Sequence, residues 1–313
     1  MIIRVPPSRQ EREMQSRTGR IVVGYDGSEP AGAAVDWAAA EAQRRRSPLT
    51  VVHALDHLDA APGALGVPWL DLSEESTGRI AAEGVARARK NADSIDIAAV
   101  VELGSTVKTL LEAAHDADLV VVGTRGHGAL AETLLGSVSV AVSSHARCPT
   151  VVVRGDSSLL PGPHRPVVVG VDDSPGADTA LRFAAETAEE TGAQLIVVSG
   201  YQPAMLQVWT GIISTTVDPQ PDPGYDADSR SAAEKVVATA ARIARTGYPG
   251  LDVTEQVRQG PAAAAITGAT YQAGLAVVGS RGRGGFAGLL LGSVSHRLLH
   301  TALCPVAVVR GVL

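Results

Sequence analysis

The octapeptide GYDGSEPA at Gly24–Ala31 returns as GVDDSPGA at Gly170–Ala177, 146 residues further along. A chain that repeats itself must build one unit twice, and this constrains the fold more than any single motif does. The length of 313 residues suits two units of roughly 150 residues each. VVHAL at Val51–Leu55 matches VVSGY at Val197–Tyr201 at the same spacing, whereas AAEGV from Ala81 matches AAEKV from Ala232 at 151. From Gly104 and Gly260 onward the spacing is 156, and it holds through GTRG and GSRG, LLGSVS and LLGSVS, and CPTVVVRG and CPVAVVRG. The second copy therefore carries about five extra residues in each of two places. One is the proline-rich segment after its second strand, and the other is expected near the turn before its third. Connections tolerate such insertions while strands stay aligned.

Within a copy, strands and helices alternate. In the first, RIVVGYD near 20–26 is an apolar, β-branched run, and Pro30–Arg46 carries Ala34, Trp37, Ala38 and Ala42 at helical spacing. Strands follow at Leu49–Ala54, 95–103, 118–123 and 149–154, with helices near 75–93, 105–116 and 133–147. Trp37 is replaced by Phe183 in the second copy, and both read as core aromatics. Strands that are apolar throughout are buried on both faces, which requires a parallel sheet flanked by helices. Right-handed crossovers wind such a sheet doubly. The expected architecture is α/β: two tandem doubly wound parallel five-stranded sheets. Residues 1–18 read as a flexible polar tail, 19–154 as the first domain, 155–165 (GDSSLLPGPHR) as a linker and 166–313 as the second domain.

Composition excludes several classes. The net charge of −6 argues against a nucleic-acid binder, which concentrates basic surface. No apolar run reaches the roughly 18 residues of a membrane span, and the opening MIIRVPPSRQEREMQSRTGR has no apolar core of a secretory signal. The two cysteines, Cys148 and Cys304, occupy equivalent Cys-Pro positions and read as buried reduced thiols of a cytoplasmic protein.

The chemistry points to two glycine-rich loops. VVVGTRGHGALAETLLGSVSV runs from Val120 to Val140, and VVGSRGRGGFAGLLLGSVS from Val277 to Ser295. Each leaves the fourth strand and enters a helix, at the carboxyl rim where doubly wound sheets bind ligands. The spacing Gly-x2-Gly-x9-Gly-Ser occurs as Gly123, Gly126, Gly136, Ser137 and again as Gly279, Gly282, Gly292, Ser293. Gly123 and Gly126 free the backbone to turn and approach a ligand. The N–H groups opening the helix at Gly136, Ser137, Val138 and Ser139 suit a phosphate. Ser137 and Ser139 can add hydroxyls, and Arg125, like its counterpart Arg281, either adds charge or points to solvent. The first strand ends in Asp26 and Asp172, each followed two residues on by a serine, Ser28 or Ser174. A carboxylate there can accept from a ribose hydroxyl or an adenine amine, or cap the next helix. The copies differ at the loop: His127 corresponds to Arg283, and Asp118 to Gly274.

Together, the Asp closing strand one, the doubled loop and the terminal Cys-Pro strand resemble the universal stress protein family in its tandem, ATP-binding form. The resemblance covers the chain from Arg20 to its end. It implies strand order 3-2-1-4-5 in each domain. It also implies last strands that pair between domains about a pseudo-twofold axis, and one ATP per domain. Carried over by position, Gly123, Gly126, Gly136, Ser137, Val138 and Ser139 would hold phosphates and ribose. The backbone at Gly24 and Tyr25, with Asp26, would meet the adenosine, and Ala54 would wall the adenine. The second set is Gly170, Val171, Asp172, Gly200, Gly279, Gly282, Gly292, Ser293, Val294 and Ser295. The implied function is a nucleotide-dependent regulatory module in stress response or growth control. It would pair as a homodimer, act on a protein partner, and tolerate Mg2+ beside the ATP. A slow ATP-hydrolysing enzyme and a scaffold with structural ATP are the alternatives. On this basis Gly123→Ala or Gly279→Ala should lower nucleotide affinity with little loss of stability.

Competing motifs fail. There is no G-x-x-x-x-G-K followed by Ser or Thr, and Gly24 onward does not fit a dinucleotide fingerprint. His296 and His300 are four apart on a helix, but the first copy has Val140 and Ser144 there, which excludes a repeated metal site.

Overall fold

The computed structural model describes residues 19–55, 74–124, 135–154, 159–202, 223–283 and 290–311. The first half runs β1 (Arg20–Gly24), α1 (Glu29–Arg45), β2 (Leu49–Leu55), α2 (Glu74–Asn91), β3 (Ile97–Leu103), α3 (Thr106–Ala113), β4 (Ala117–Gly123), α4 (Ser137–His145) and β5 (Thr150–Val153). The second repeats the order as β6 (Val167–Gly170), α5 (Pro175–Thr191), β7 (Leu195–Tyr201), α6 (Pro223–Gly247), β8 (Val253–Gln259), α7 (Ala262–Ala269), β9 (Leu275–Gly279), α8 (Ser293–Thr301) and β10 (Val306–Val309).

Within each half the strands are parallel and lie in the order third, second, first, fourth, fifth. The winding reverses between β1 and β4, and between β6 and β9, so Asp26 and Asp172 sit beside the loops leaving the fourth strands. The halves do not form two separate sheets. β5 and β10 pair antiparallel and join them into one ten-stranded sheet, order β3-β2-β1-β4-β5-β10-β9-β6-β7-β8. The register is symmetric: Val151 faces its own counterpart Ala307, while Val152 faces Val306 and Thr150 faces Val308. A pseudo-twofold axis therefore passes between Val151 and Ala307. Bonds one residue off strict symmetry follow it: Arg154 Nη1 donates to Leu299 O at 2.9 Å, and its counterpart Arg310 Nη1 to Ser144 O at 3.1 Å. Arg44 also bonds Glu190 across the axis at 3.0 Å. Joining the apolar inner edges leaves β3 and β8 as the outer ones, and these carry exposed polar positions such as Glu102 and Glu255. Because the central pairing is antiparallel, the carboxyl rims of the two halves point in opposite directions.

Helices cover both faces. One face packs α1 and α5 on Val23, Val51, Val169 and Val197, with Trp37 only 2% exposed and Phe183 half-buried against the same core. The other face holds Val22, Val120, Val168 and Val278 around Leu110, Leu298 and Leu299. Ser28 and Ser174 cap α1 and α5, accepting from Ala31 N and Ala177 N. α1 ends on Arg46 in the left-handed region (φ 54°), and α5 on Gly192 (φ 64°).

The second insertion adjoins the turn before the third strand but falls within the helix. Asn91, the last residue of α2, corresponds to Arg242, yet α6 continues to Gly247. Five residues separate helix from strand in both halves. The extra residues thus lengthen the helix, where each added residue keeps a main-chain hydrogen bond, and leave the turn unchanged.

Cys148 and Cys304 are free and buried. Burial pushes their thiols up to about 11 and about 12, with the Asp118 carboxylate adding to the effect at Cys148. Native protein at pH 8 should resist iodoacetamide, and both residues should react once it is unfolded. A raised folded value leaves stability intact below about pH 8.5, the ordinary thiol value. That contribution is lost as the pH climbs towards 11 and 12, which pH-dependent urea unfolding would read out.

Candidate functional site

Both carboxyl rims are built alike. Asp26 Oδ1 accepts from Ser28 N at 3.0 Å and from Ser28 Oγ at 2.6 Å. In the second half Ser174 Oγ donates to Asp172 Oδ1 at 2.6 Å, and Arg283 N donates to Asp172 Oδ2 at 2.9 Å. The serines are thus the helix caps, and the aspartates orient them. Asp172 also ties the glycine loop to the end of β6. Gly282 leaves room for that contact, since a Cβ there would meet Asp172 Oδ2.

The helices entered from the loops differ from α1 and α5 at one decisive point. Their N-caps are glycines, Gly136 and Gly292, and neither helix has a side-chain cap. Gly136 N and Gly292 N each donate at 2.7 Å, to Thr124 O and Ser280 O, which ties each helix start to the end of the fourth strand. The N–H groups of the next three residues have no intrahelical acceptor. With the helix dipole, such groups suit an anion.

Ser139 and Ser295 serve a different purpose from the one their sequence suggests. Their hydroxyls donate at 2.6 Å to Gly123 O and Gly279 O, and both residues are buried. They lock the strand end to the helix, leaving their main-chain N–H groups as what they can offer a ligand. The main-chain groups of Tyr25 are engaged as well. Its N–H continues the ladder to Val52 O at 2.9 Å, its carbonyl meets His53 Nδ1 at 2.9 Å, and its ring is 4% exposed. It offers a ligand no main-chain donor. Val171 N is likewise bonded to Val198 O at 3.0 Å.

In the second half these elements enclose a cavity of about 290 Å3. Gly170, Val171, Asp172, Gly279, Arg281, Gly282, Gly292, Ser293, Val294 and Ser295 all line it. Gly200 does not. Its α-hydrogen faces α7, where a Cβ would come within 2.9 Å of Ala262 Cα, and it lines a neighbouring cavity. Ala262, Ile266 and Val278 form an apolar wall, and Arg283 joins Arg281 at the loop. These apolar residues escaped the sequence reading because their periodicity is that of any core helix or strand. In the first half, Gly24, Asp26, Ala54, Gly123 and Gly136–Ser139 occupy the equivalent rim, whereas Arg125, Gly126 and His127 lie outside the described residues.

Gly123 and Gly279 carry a packing duty. A Cβ at Gly123 would be 2.5 Å from Pro30 O, and one at Gly279 would be 2.7 Å from Gly176 C. Both are backbone atoms in the first turns of α1 and α5. Among the described residues, no group of three or more His, Cys, Asp or Glu could hold a metal ion. No helix among them is long and apolar enough to cross a membrane.

The model of the universal stress protein family matches residues 18–154 and again 163–310. The chain belongs to the universal stress protein family. It is 35% identical over 296 residues to universal stress protein Rv2005c of Mycobacterium tuberculosis, covering 93% of this chain and 96% of that protein. It is 34% identical over 300 residues to a universal stress protein of Mycolicibacterium smegmatis, with the same coverage. The fold matches the crystal structure of a universal stress protein from Archaeoglobus fulgidus with a TM-score of 0.66 at 19% identity, over 95% of this chain and 100% of that one. This universal stress protein therefore carries two family units in one chain.

Proposed function

We propose that each half binds one ATP at its carboxyl rim and that nucleotide occupancy regulates the protein's association with a protein partner during stress or growth control. The observation that carries the reading is the pair of helices opened by glycine where serine could stand. Elsewhere in the same chain, α1 and α5 use serine to satisfy their own first-turn N–H groups. An uncapped helix start beside Arg281 and Arg283 is suited to a triphosphate. The apolar wall of Ala262, Ile266 and Val278 accepts a flat purine, and Asp172 can accept from ribose hydroxyls. ATP thus fits the residues present, and it would supply the protein with a hydrolysable or exchangeable signal. Mg2+ would be held mainly by phosphate oxygens.

Binding without rapid turnover is the favoured reading because, among the described residues, Asp172 is the only carboxylate lining the cavity, and on this reading it meets the ribose. A general base must stand beside the attacking water. Mass spectrometry of small molecules released from gently purified protein should detect ATP, and calorimetry should give two ATP per chain. Absence of ATP in both measurements would sink the reading. Fast multiple-turnover phosphate release, abolished by Asp26→Asn, would make the protein an enzyme instead. On this reading the protein works in the cytoplasm as a homodimer, so light scattering should return twice the chain mass.

A further inference from the structure

The two outer edges of the ten-stranded sheet are built differently. β3 and β8 occupy equivalent places at its ends. Asp96 O accepts from Leu49 N, and Gly104 N donates to Leu55 O, so the even-numbered residues of β3 bond to β2. The main-chain N–H and C=O groups of Ala99, Val101 and Leu103 therefore face away from the sheet. Among the described residues, no main-chain group pairs with them.

The β8 edge is guarded. Arg245 Nη2 donates to the outward carbonyl of Val253 at 2.7 Å, and its Nη1 to the Glu255 carboxylate at 2.7 Å. Arg245 belongs to the five residues by which α6 outruns α2, so the first half has no counterpart of it. β3 is also more open. Ala98, Ala99, Val101, Glu102 and Leu103 are exposed, against Glu255 and Gln259 on β8. Val101 is 42% and Leu103 60% exposed. No Lys, Arg or Pro interrupts β3, although such residues are what ordinarily stops an edge from pairing.

We propose that β3 is the homodimer interface, pairing antiparallel with β3 of a second copy about a twofold axis through Val100. This rests on the homodimer reading above and gives it a surface. The chain already makes such a joint once. β5 and β10 are edges of two copies of one unit, and they pair antiparallel about a pseudo-twofold axis. A strand that meets itself across a twofold is self-complementary when its charges do not oppose each other. With the axis through Val100, Ala99 of each chain meets Val101 of the other, Ile97 meets Leu103, and Glu102 meets Ala98. No like charges face each other in that register. Glu102 is held over α3 as well, since Thr109 Oγ1 donates to its Oε2 at 3.3 Å. Pairing would satisfy the outward main-chain groups and cover Val101 and Leu103, and the sheet would run on unbroken through both chains.

The test follows the full chain by light scattering over a dilution series, with thermal melts and ATP calorimetry alongside. The parent should be a dimer. Val101→Pro removes an outward N–H and no bond to β2, a place where edge strands accept proline. Two symmetry-related hydrogen bonds are lost at once, so the dissociation constant should rise at least about tenfold. Val101→Lys, a charge of the kind that blocks natural edges, should do the same. Both variants should keep the parental melting temperature and ATP isotherm. Val100→Cys should give a disulfide-linked dimer on mild oxidation, because opposed residues of a non-hydrogen-bonded pair lie about 4.5 Å apart at Cα and the native thiols are buried. Parental dimer affinity in both Val101 variants, with no cross-link through Val100→Cys, overturns this interface and leaves the homodimer reading standing. A parent that is monomeric at every concentration removes both, and slow hydrogen exchange at Val101 in that monomer would identify a cover from the same chain.

Discussion

Gly292→Asp should leave α8 as stable as before, or more so, and cut ATP affinity at the second site at least about tenfold. Gly292 has φ −73° and ψ 157°, extended backbone that any residue adopts. The nearest atoms to an added Cβ, Arg281 Cα and Ser280 O, are 3.4 Å away, which is ordinary contact. Aspartate is among the best N-caps, and it exceeds glycine by a few tenths of a kcal/mol. Its carboxylate would accept from the N–H groups of Val294 or Ser295, the donors proposed for phosphate. It would also place a negative charge about 4 Å from the phosphate, a repulsion on the order of 4 kcal/mol at an effective dielectric near 20. A calorimetric titration alongside a thermal melt tests both halves of the statement. A folded variant that retains parental ATP affinity would show that the helix start is not the phosphate site. Gly136, with φ −68° and ψ 147°, offers the same test in the first half.

Gly123→Ala and Gly279→Ala should act mainly on stability, against the sequence-based expectation that they would lower affinity alone. The new Cβ at residue 123 would meet Pro30 O at 2.5 Å and Pro30 C at 2.6 Å; at residue 279 it would meet Gly176 C at 2.7 Å and O at 2.8 Å. Backbone of a packed first helical turn cannot swing aside as a side-chain tip can. Overpacking of this kind costs about 1–3 kcal/mol or more. Urea unfolding should show a lower midpoint for either variant, with Gly292→Ala as the control whose added methyl meets only ordinary contacts. An unchanged midpoint would mean that the strand ends and the helix starts move apart freely.

The tandem pairing explains why the two sites can diverge. The antiparallel join at β5 and β10 sends the rims to opposite edges of one sheet. The first-half rim carries Tyr25 and His53, the second Val171 and Ser199. Each rim is thus free to vary without contact with the other.

Much of this architecture was legible in the chain itself. The repeated GYDGSEPA, the apolar strands and the Gly-Ser openings fixed the element order, the doubly wound sheet and the rim on which ligands sit. These are local signals, carried by period and spacing within a few residues. The tertiary structure alone decided which atoms meet across long separations. The pairing of the last strands between the halves was expected from the family resemblance, and the structure set its antiparallel register, with Val151 facing Ala307. It moved five inserted residues into α6. It set Gly123 against Pro30, Gly282 against Asp172 and Gly200 against Ala262, and turned the Ser139 and Ser295 hydroxyls onto strand carbonyls. Such contacts depend on close approach between residues as far as 166 positions apart, as in the 3.1 Å bond from Arg310 to Ser144, and no pattern of neighbouring letters encodes them.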